Sequence, residues 1–549
     1  MFPIRDDSPI AEALPWLVVL VAMAAWLGHV DLLTPDEARH AEIAREMFLE
    51  GNWLTPHIYG EPYYDKPALF YWLTGASLWA FGPKAAAARL PSVAGALFSI
   101  GMTSWWVRAA WGRGAARWVT VLLGTTLFFV AVGRYVVIDM LLTAALTGAL
   151  SWLGLILCDP PGRRRPVWPI YACTAVGVLA KGPVALVVVA GVAVVAALFE
   201  RRPALLLRLH PFRGALVIVA MAGPWYAAAY ATDPAYIRTF LWEHNYARYA
   251  VPGALAHQQP WYFYLLALPV VMLPWSILVP PALAAAWKNP SPGVRHAIAW
   301  TTVIIGFFSF SQTKVPTYVL GAFPPLLSMT AAYIDDRLTR RVELPRAAEF
   351  AIVGWTMLAA TISIGGALWI VYESPEAWTK IPLAIPAAAI AVWTYRHARD
   401  TPALVTAVAA SSLALIAMVY GGAADAVNAR ESQREMAKIV REELPPYAVV
   451  TSYRVAPHAL AFYAERYVRR ADDPEAAVPE LFAGGDAALL TRTKFLAELG
   501  LDPMPPWMTV AWTTGDGSVL VLGGHAAEDV MAGRTRWRTT PTDDASADR

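Results

Sequence analysis

Between residues 14 and 421 the chain is a succession of apolar runs, most of them about as long as a bilayer's hydrocarbon core requires, and this leaves it few possible folds. The runs fall at 14–31, 87–109, 115–134, 139–157, 167–181, 183–199, 213–231, 261–281, 297–312, 316–334, 349–371, 381–395 and 402–421, thirteen in all. A backbone in lipid has no water to bond, so each run closes its own hydrogen bonds as a helix. Charged residues make up 16% of the chain, against about 25% in an ordinary soluble domain. The fold class that follows is a polytopic α-helical membrane protein with about thirteen spans. The runs at 167–181, 183–199, 297–312 and 381–395 are short, and a further piece at 67–82 reads as a membrane-surface helix or a partial span. The first run follows Met1–Asp7, which has no clear basic region and no small-residue cleavage site, so it reads as a retained helix.

The net charge is +2, which gives no nucleic-acid signal; what matters is where the charges sit. Cys158 and Cys173 lie at or inside expected spans and form neither a CxxC motif nor a disulfide framework. The 24 Trp and 43 Pro suit interface belts and span boundaries.

One set of loops carries Arg108, Arg113 and Arg117, Arg163–Arg165, Arg201, Arg202, Arg208 and Arg213, Lys288 and Arg295, Arg337 to Arg346, and Arg396 and Arg399. Cytoplasmic loops are rich in Lys and Arg, so these are expected inside. The opposite loops hold single cations near span ends, namely Lys66, Arg134, Lys181, Arg248 and Lys314. An odd number of spans then puts the C-terminus outside the cytoplasm. Residues 422–537 change composition. Strands are expected at 447–452, 487–490, 508–512 and 518–522, and amphipathic helices at 430–443 and 493–499. This is a small soluble α/β domain, followed by a polar tail at 538–549 that is expected to be disordered. The membrane domain is then 1–421, with an active-site loop at 32–86 and a second outer loop at 232–260.

The few ionisable clusters near the bilayer surface are the natural place for chemistry. Thr34-Pro35-Asp36-Glu37 fits a capping box, with Thr34 as N-cap, Pro35 at the first helical position and Glu37 closing the box. The helix it opens is expected to lie on the membrane with Ile43, Ala44, Met47 and Phe48 on one face. The cap has no need of Asp36, whose ionised form the helix dipole favours, so Asp36 is a candidate to position a nucleophile or accept a proton. Lys66-Pro67, Lys181-Gly182-Pro183 and Lys314-Val315-Pro316 each place a lysine beside a proline that would start a helix. Such a lysine opposes the helix dipole until an anion arrives, so the repetition suggests a phosphate pocket; singly, each lysine could be a snorkelling interface residue. Asp139 follows Arg134 at a span entrance and is either paired with it or functional. Loop 232–260 carries Glu243, His244, Arg248, His257, Gln258 and Gln259, and Arg248 suits a phosphate. A divalent metal held by Asp65, Glu243 and His244 is the one cofactor these residues suggest, on a spacing that is not diagnostic. His40 and His57 read as surface residues. There is no P-loop, GxSxG or HExxH.

With Pro35-Asp36-Glu37-Ala38-Arg39, Tyr64-Asp65-Lys66-Pro67, Ala180-Lys181-Gly182-Pro183 and Lys314-Val315-Pro316-Thr317-Tyr318-Val319-Leu320, the chain resembles the aminoarabinose (4-amino-4-deoxy-L-arabinose) lipid A transferases of Gram-negative bacteria. These belong to the GT-C superfamily, with the protein O-mannosyltransferases. The resemblance implies an inverting glycosyltransferase of the inner membrane that moves a sugar from a polyprenyl (undecaprenyl) phosphate to a phosphate of lipid A at the periplasmic face. It implies Asp36 as principal catalytic carboxylate and Asp139 as a second. Lys66, Arg248 and Lys181 would hold the donor phosphate, and Tyr63 or Tyr64 and Tyr318 would line the donor cavity. The family commonly has Glu where this chain has Asp65, one methylene shorter. No nucleic acid is implied as a partner, and a monomer is expected. The alternatives are a GT-C transferase of another polyprenyl-linked sugar to a glycan or protein, and a lipid-linked sugar flippase, for which the chain lacks the expected internal halves.

Overall fold

The computed structural model describes residues 8–160, 163–251, 258–373 and 375–533; His257, Met1–Asp7 and the tail expected at 538–549 lie outside them. The chain forms two compact units. The first comprises Met1–Leu27, Tyr64–Leu73 and Arg89–Ala423, and the second Gly28–Tyr63, Thr74–Ala88 and Ala424–Arg549. The residues expected as one active-site loop, 32–86, are thus shared between the two units.

Each apolar run of the sequence contains or overlaps a helix. Seven helices are long and apolar enough to cross a membrane, or up to nine if each of two bent pairs is one span. The others are short by that measure: Pro9–Ala24, Trp168–Lys181, Val184–Phe199 and Ile385–Arg396. The run expected to continue to residue 31 stops being helical at Ala24.

Two runs expected as single spans are broken. Arg113–Thr125 and Leu127–Gly133 meet at 68°, and Phe263–Val271 and Trp275–Lys288 at 112°. Pro274 cannot donate to a helical ladder and lies at the second break. The two breaks bond to each other: Leu127 N donates to Leu273 O at 3.2 Å, and Trp275 Nε1 to Thr125 Oγ1 at 2.9 Å. Backbone released from a helix in lipid survives only where protein satisfies it, as here.

The spans Ile138–Cys158 and Pro316–Arg340 are 78% and 83% enclosed, whereas Pro211–Thr232 is 22% enclosed and presents Phe212, Leu216 and Val219 outward. Small residues bring the enclosed helices close. A Cβ at Gly177 would stand 3.3 Å from Ala145 Cβ, and one at Gly148 2.8 Å from Cys173 Sγ. That approach seats Trp168–Lys181 against Ile138–Cys158 and fixes which end residues face each other.

The second unit has a short antiparallel pair, β1 (His57–Ile58) and β2 (Glu61–Pro62), and a five-stranded sheet of β3 (Val449–Tyr453), β4 (Arg469–Ala471), β5 (Ala487–Arg492), β6 (Met508–Thr513) and β7 (Ser518–Gly523). The sheet order is β4-β3-β5-β7-β6; β3 runs parallel to β4 and β5, while β7 is antiparallel to β5 and β6. Alternate residues feed two cores: Leu490, Leu520 and Leu522 meet Ile439, Val440 and Leu460 on one face, and Leu489, Val519 and Val521 meet Leu481 and Leu499 on the other. The expected helix at 493–499 is only a 3-10 turn, Thr493–Phe495.

The helix Asp36–Glu50 corrects two expectations. Thr34 makes no side-chain cap: the residue before the helix is Pro35, and Glu37 Oε2 instead accepts from Leu33 N at 3.1 Å. Nor is the helix a surface one, since Glu37 to Met47 are buried apart from Arg39. Arg45 bonds both oxygens of Glu42 at 2.6 and 2.7 Å, and Glu46 accepts from Tyr59 N at 2.7 Å. Burial and the Glu42 charge hold the Glu46 carboxyl up at about 7. His40, read as a surface residue, is also buried, while His57 is partly exposed. Asp31 ties this segment to the sheet region: its N–H donates to Asn428 Oδ1 at 2.9 Å, and its carboxylate accepts from Ser432 Oγ at 2.7 Å and Arg434 at 3.2 Å.

Candidate active site

In the first unit a cavity of about 340 Å³ is lined by the apolar Leu142, Val184, Val187, Phe307 and Phe308. Asp65, Lys66, Lys181, His244, Arg248 and Tyr318 line it as well. The polar groups arrive on the ends of helices. Asp139 lies in the first turn of Ile138–Cys158, where the dipole favours a carboxylate. Lys181 is the last residue of Trp168–Lys181, where the dipole favours a cation; the expectation of a lysine opposing a helix N-terminus therefore reverses here. Gly182 turns the chain at φ +90°, and a Cβ there would stand 2.7 Å from Phe240 Cζ and 3.2 Å from Asn245 Oδ1. His244 and Asn245 sit in a π-helical turn, Trp242–Ala247, which leads into Arg248.

Asp139 is paired, but not with Arg134. Its carboxylate takes Lys181 Nζ in an ion pair and Thr317 Oγ1 at 3.1 Å, and Lys181 also lies 4.3 Å from the centre of the Tyr318 ring. Arg134 donates instead to the carbonyls of Ala22 and Ala25 at 2.6 Å, closing the end of the first helix. The break after Gly133 turns Arg134 toward those carbonyls. Asp65 Oδ1 faces His244 Nε2 at 2.9 Å.

These pairings leave two cations of the cavity with no carboxylate partner among the described residues. Lys66 Nζ has the Asp65 carbonyl at 3.0 Å, and Arg248 Nε is buried without a hydrogen-bond partner. Burial, then the charge of Arg248, push the Lys66 ammonium down from its usual range to about 7. The Lys66 carbonyl is fixed by the Tyr236 hydroxyl. A pocket with two such cations and an apolar wall suits an anion that carries a hydrocarbon.

The metal expectation is met by two side chains only. Asp65 and His244 come together, Glu243 is exposed and does not line the cavity, and no group of three His, Cys, Asp or Glu side chains poised for a metal occurs among the described residues. Two ligands do not make a convincing divalent-metal set.

Of the other expected residues, Tyr64 does not line the cavity; its hydroxyl donates to Asp233 Oδ2 at 2.6 Å and its ring stacks on Tyr236. Lys314 is buried and spends its ammonium on the carbonyls of Ser311 and Gln259. Asp36, Glu37 and Tyr63 belong to the second unit. Asp36 is exposed at the start of its helix and pairs with Arg39. Thr317 and Phe240 were not singled out from the sequence. Thr317 stands inside the Lys-Val-Pro-Thr-Tyr motif, which gave it a place but no partner.

The architecture and this cavity define a polytopic α-helical membrane protein with a cavity that joins apolar side chains to two cations. A family model of dolichyl-phosphate-mannose-protein mannosyltransferases matches residues 16–235. The chain is 33% identical over 333 residues to an undecaprenyl phosphate-α-4-amino-4-deoxy-L-arabinose arabinosyl transferase of Aeromonas salmonicida, covering 59% of this chain and 60% of that one. The protein of the same name from Enterobacter sp. strain 638 is 29% identical over 436 residues, 75% and 76% of the two chains. The match spans 60% or less of the length of the more identical relatives, including the one from Edwardsiella ictaluri, at 32% over 313 residues. The fold is that of ArnT from Cupriavidus metallidurans bound to undecaprenyl phosphate: TM-score 0.78 at 22% identity, over 94% of this chain and 98% of that one. The chain is thus similar in sequence to the aminoarabinose transferases and has the ArnT fold.

Proposed function

We propose that this protein is an inverting glycosyltransferase that moves 4-amino-4-deoxy-L-arabinose from undecaprenyl phosphate to a phosphate of lipid A. The observation that carries the reading is the pair Lys66 and Arg248, two cations of one apolar-walled cavity with no carboxylate partner among the described residues. The named activity of the similar proteins supports it. The donor phosphate sits between Lys66 and Arg248, and the polyprenyl chain runs along Leu142, Val184, Val187 and Phe307.

An oxygen of the acceptor phosphate attacks the anomeric carbon from the face opposite the donor phosphate. The bond from that carbon to the donor oxygen breaks, and polyprenyl phosphate leaves with the electron pair. Lys66 and Arg248 stabilise the charge that builds on the leaving oxygen. An acceptor phosphate is already anionic and needs little base, so positioning dominates over proton transfer. Asp139 acts through Lys181 and Thr317, as a positioning residue rather than a proton acceptor. The expected cytoplasmic placement of the cation-rich loops supports a site on the periplasmic face of the inner membrane.

The test is transfer by the purified protein with the lipid-linked aminosugar and lipid A, read by mass spectrometry. A pentosamine-sized increment on a phosphate supports the reading. Transfer only to a protein or glycan would replace it with a second reading, favoured by the mannosyltransferase family match over residues 16–235.

A further inference from the structure

A second cavity of the first unit, about 210 Å³, is formed by helices Pro9–Ala24, Ala85–Trp111 and Arg113–Thr125. By the loop charges it sits at the opposite membrane face from the donor cavity. Glu12 and Arg108 meet in it across 3.9 Å, and Arg117 holds the other Glu12 oxygen at 3.0 Å. The Asp335 carboxylate also faces Arg117, so Arg117 is shared between two acids. Arg108 is half-exposed and has Glu12 as its one ion-pair partner among the described residues, at a distance too long for a hydrogen bond. The indoles of Trp16 and Trp105 line the cavity, and Arg165 lies 5.9 Å from the Trp105 ring centre.

The site therefore offers a cation with spare donors, a carboxylate beside it and two aromatic walls, at the end of spans rich in Trp. This cavity is smaller than the donor cavity, about 210 against about 340 Å³, and suits a headgroup rather than a sugar lipid. A simple anion would meet Glu12 as well as Arg108. A zwitterion meets both: its phosphate takes Arg108, and its ammonium takes Glu12 and the faces of Trp16 and Trp105. We propose that this cavity binds the phosphoethanolamine headgroup of a membrane phospholipid, a site separate from the donor cavity.

The full-length protein in detergent, titrated with short-chain phosphatidylethanolamine, phosphatidylglycerol and phosphatidylcholine, tests this by native mass spectrometry. The expected result is one saturable phosphatidylethanolamine adduct, bound at least fivefold more tightly than phosphatidylglycerol. Glu12→Gln should erase that preference, and Arg108→Ala should weaken both lipids about tenfold. Soluble phosphoethanolamine should compete, whereas inorganic phosphate alone should not; competition by phosphate alone would make the site a plain anion site and overturn the proposal. So would equal binding of phosphatidylglycerol by the wild type, or unchanged lipid binding in both variants. Both substituted side chains are 40–49% exposed, and thermal melts of each variant without lipid distinguish lost binding from lost fold. In those melts, phosphatidylethanolamine should raise the wild-type midpoint and leave that of Arg108→Ala unmoved.

Discussion

Lys66 carries the largest consequence of any single side chain. Because burial and Arg248 lower its pKa to about 7, it loses its charge near neutrality, and a bound phosphate must restore that charge. The sign follows: donor affinity is full below pH 7 and falls as pH rises above it, until the raised pKa of the bound state is reached. The donor's 4-amino group titrates in the same range, so the Kd is measured from pH 6 to 9 with a polyprenyl phosphodiester that lacks the amine and keeps one charge; a flat profile would contradict the assignment. Lys66→Ala and Arg248→Ala should each lower transfer about a hundredfold or more with the fold intact, the loss typical of removing one donor to a developing anion. Gly182→Ala puts a Cβ into the Phe240 ring at a positive φ, and should cost about 1–3 kcal/mol in unfolding measurements. The cations of this site were legible because single lysines and arginines at span ends stand out in an apolar sequence. Their partners were not. Arg134 lies five positions before Asp139 while Lys181 lies 42 away, and only packing across Gly177 and Gly148 decides between them.

The helices themselves were readable wherever the apolar run was long, since lipid leaves the backbone no alternative. Breaks were less so. Thr126 carries no helix-breaking signature, and its bend exists because the backbone at Leu273 and the Trp275 indole meet it from another helix. Burial of the helix Asp36–Glu50 was also hidden: its charged residues read as a solvated face, yet Glu42 and Arg45 satisfy each other and Glu46 takes the Tyr59 amide. The sheet shows the opposite case, with continuous apolar runs in 487–490 and 519–522 announcing strands buried on both faces, while the three residues of β4 were too few to signal. Leu520 is wholly buried at the centre of that layer, so Leu520→Ala should destabilise the second unit by about 2–5 kcal/mol. Hydrogen exchange of the β5 and β7 amides is the suitable readout, and unchanged protection would contradict the packing described.

For the molecule as a whole, a membrane bundle supplies the apolar wall, helix ends supply the charges, and the broken spans brace each other beside them. Such a design suits the proposed substrate, which is lipid and phosphate at once. Likeness over 94% of the chain shows the fold, whereas the proposed sugar and acceptor follow the named activity of the similar proteins. The most direct measurement is mass spectrometry of lipid A from cells that make the lipid-linked aminosugar, with the wild-type protein, with Lys66→Ala and with neither. The account predicts a pentosamine-sized increment on a lipid A phosphate with the wild-type protein alone. An increment that persists with Lys66→Ala, or lipid A that is the same in all three strains, would contradict it.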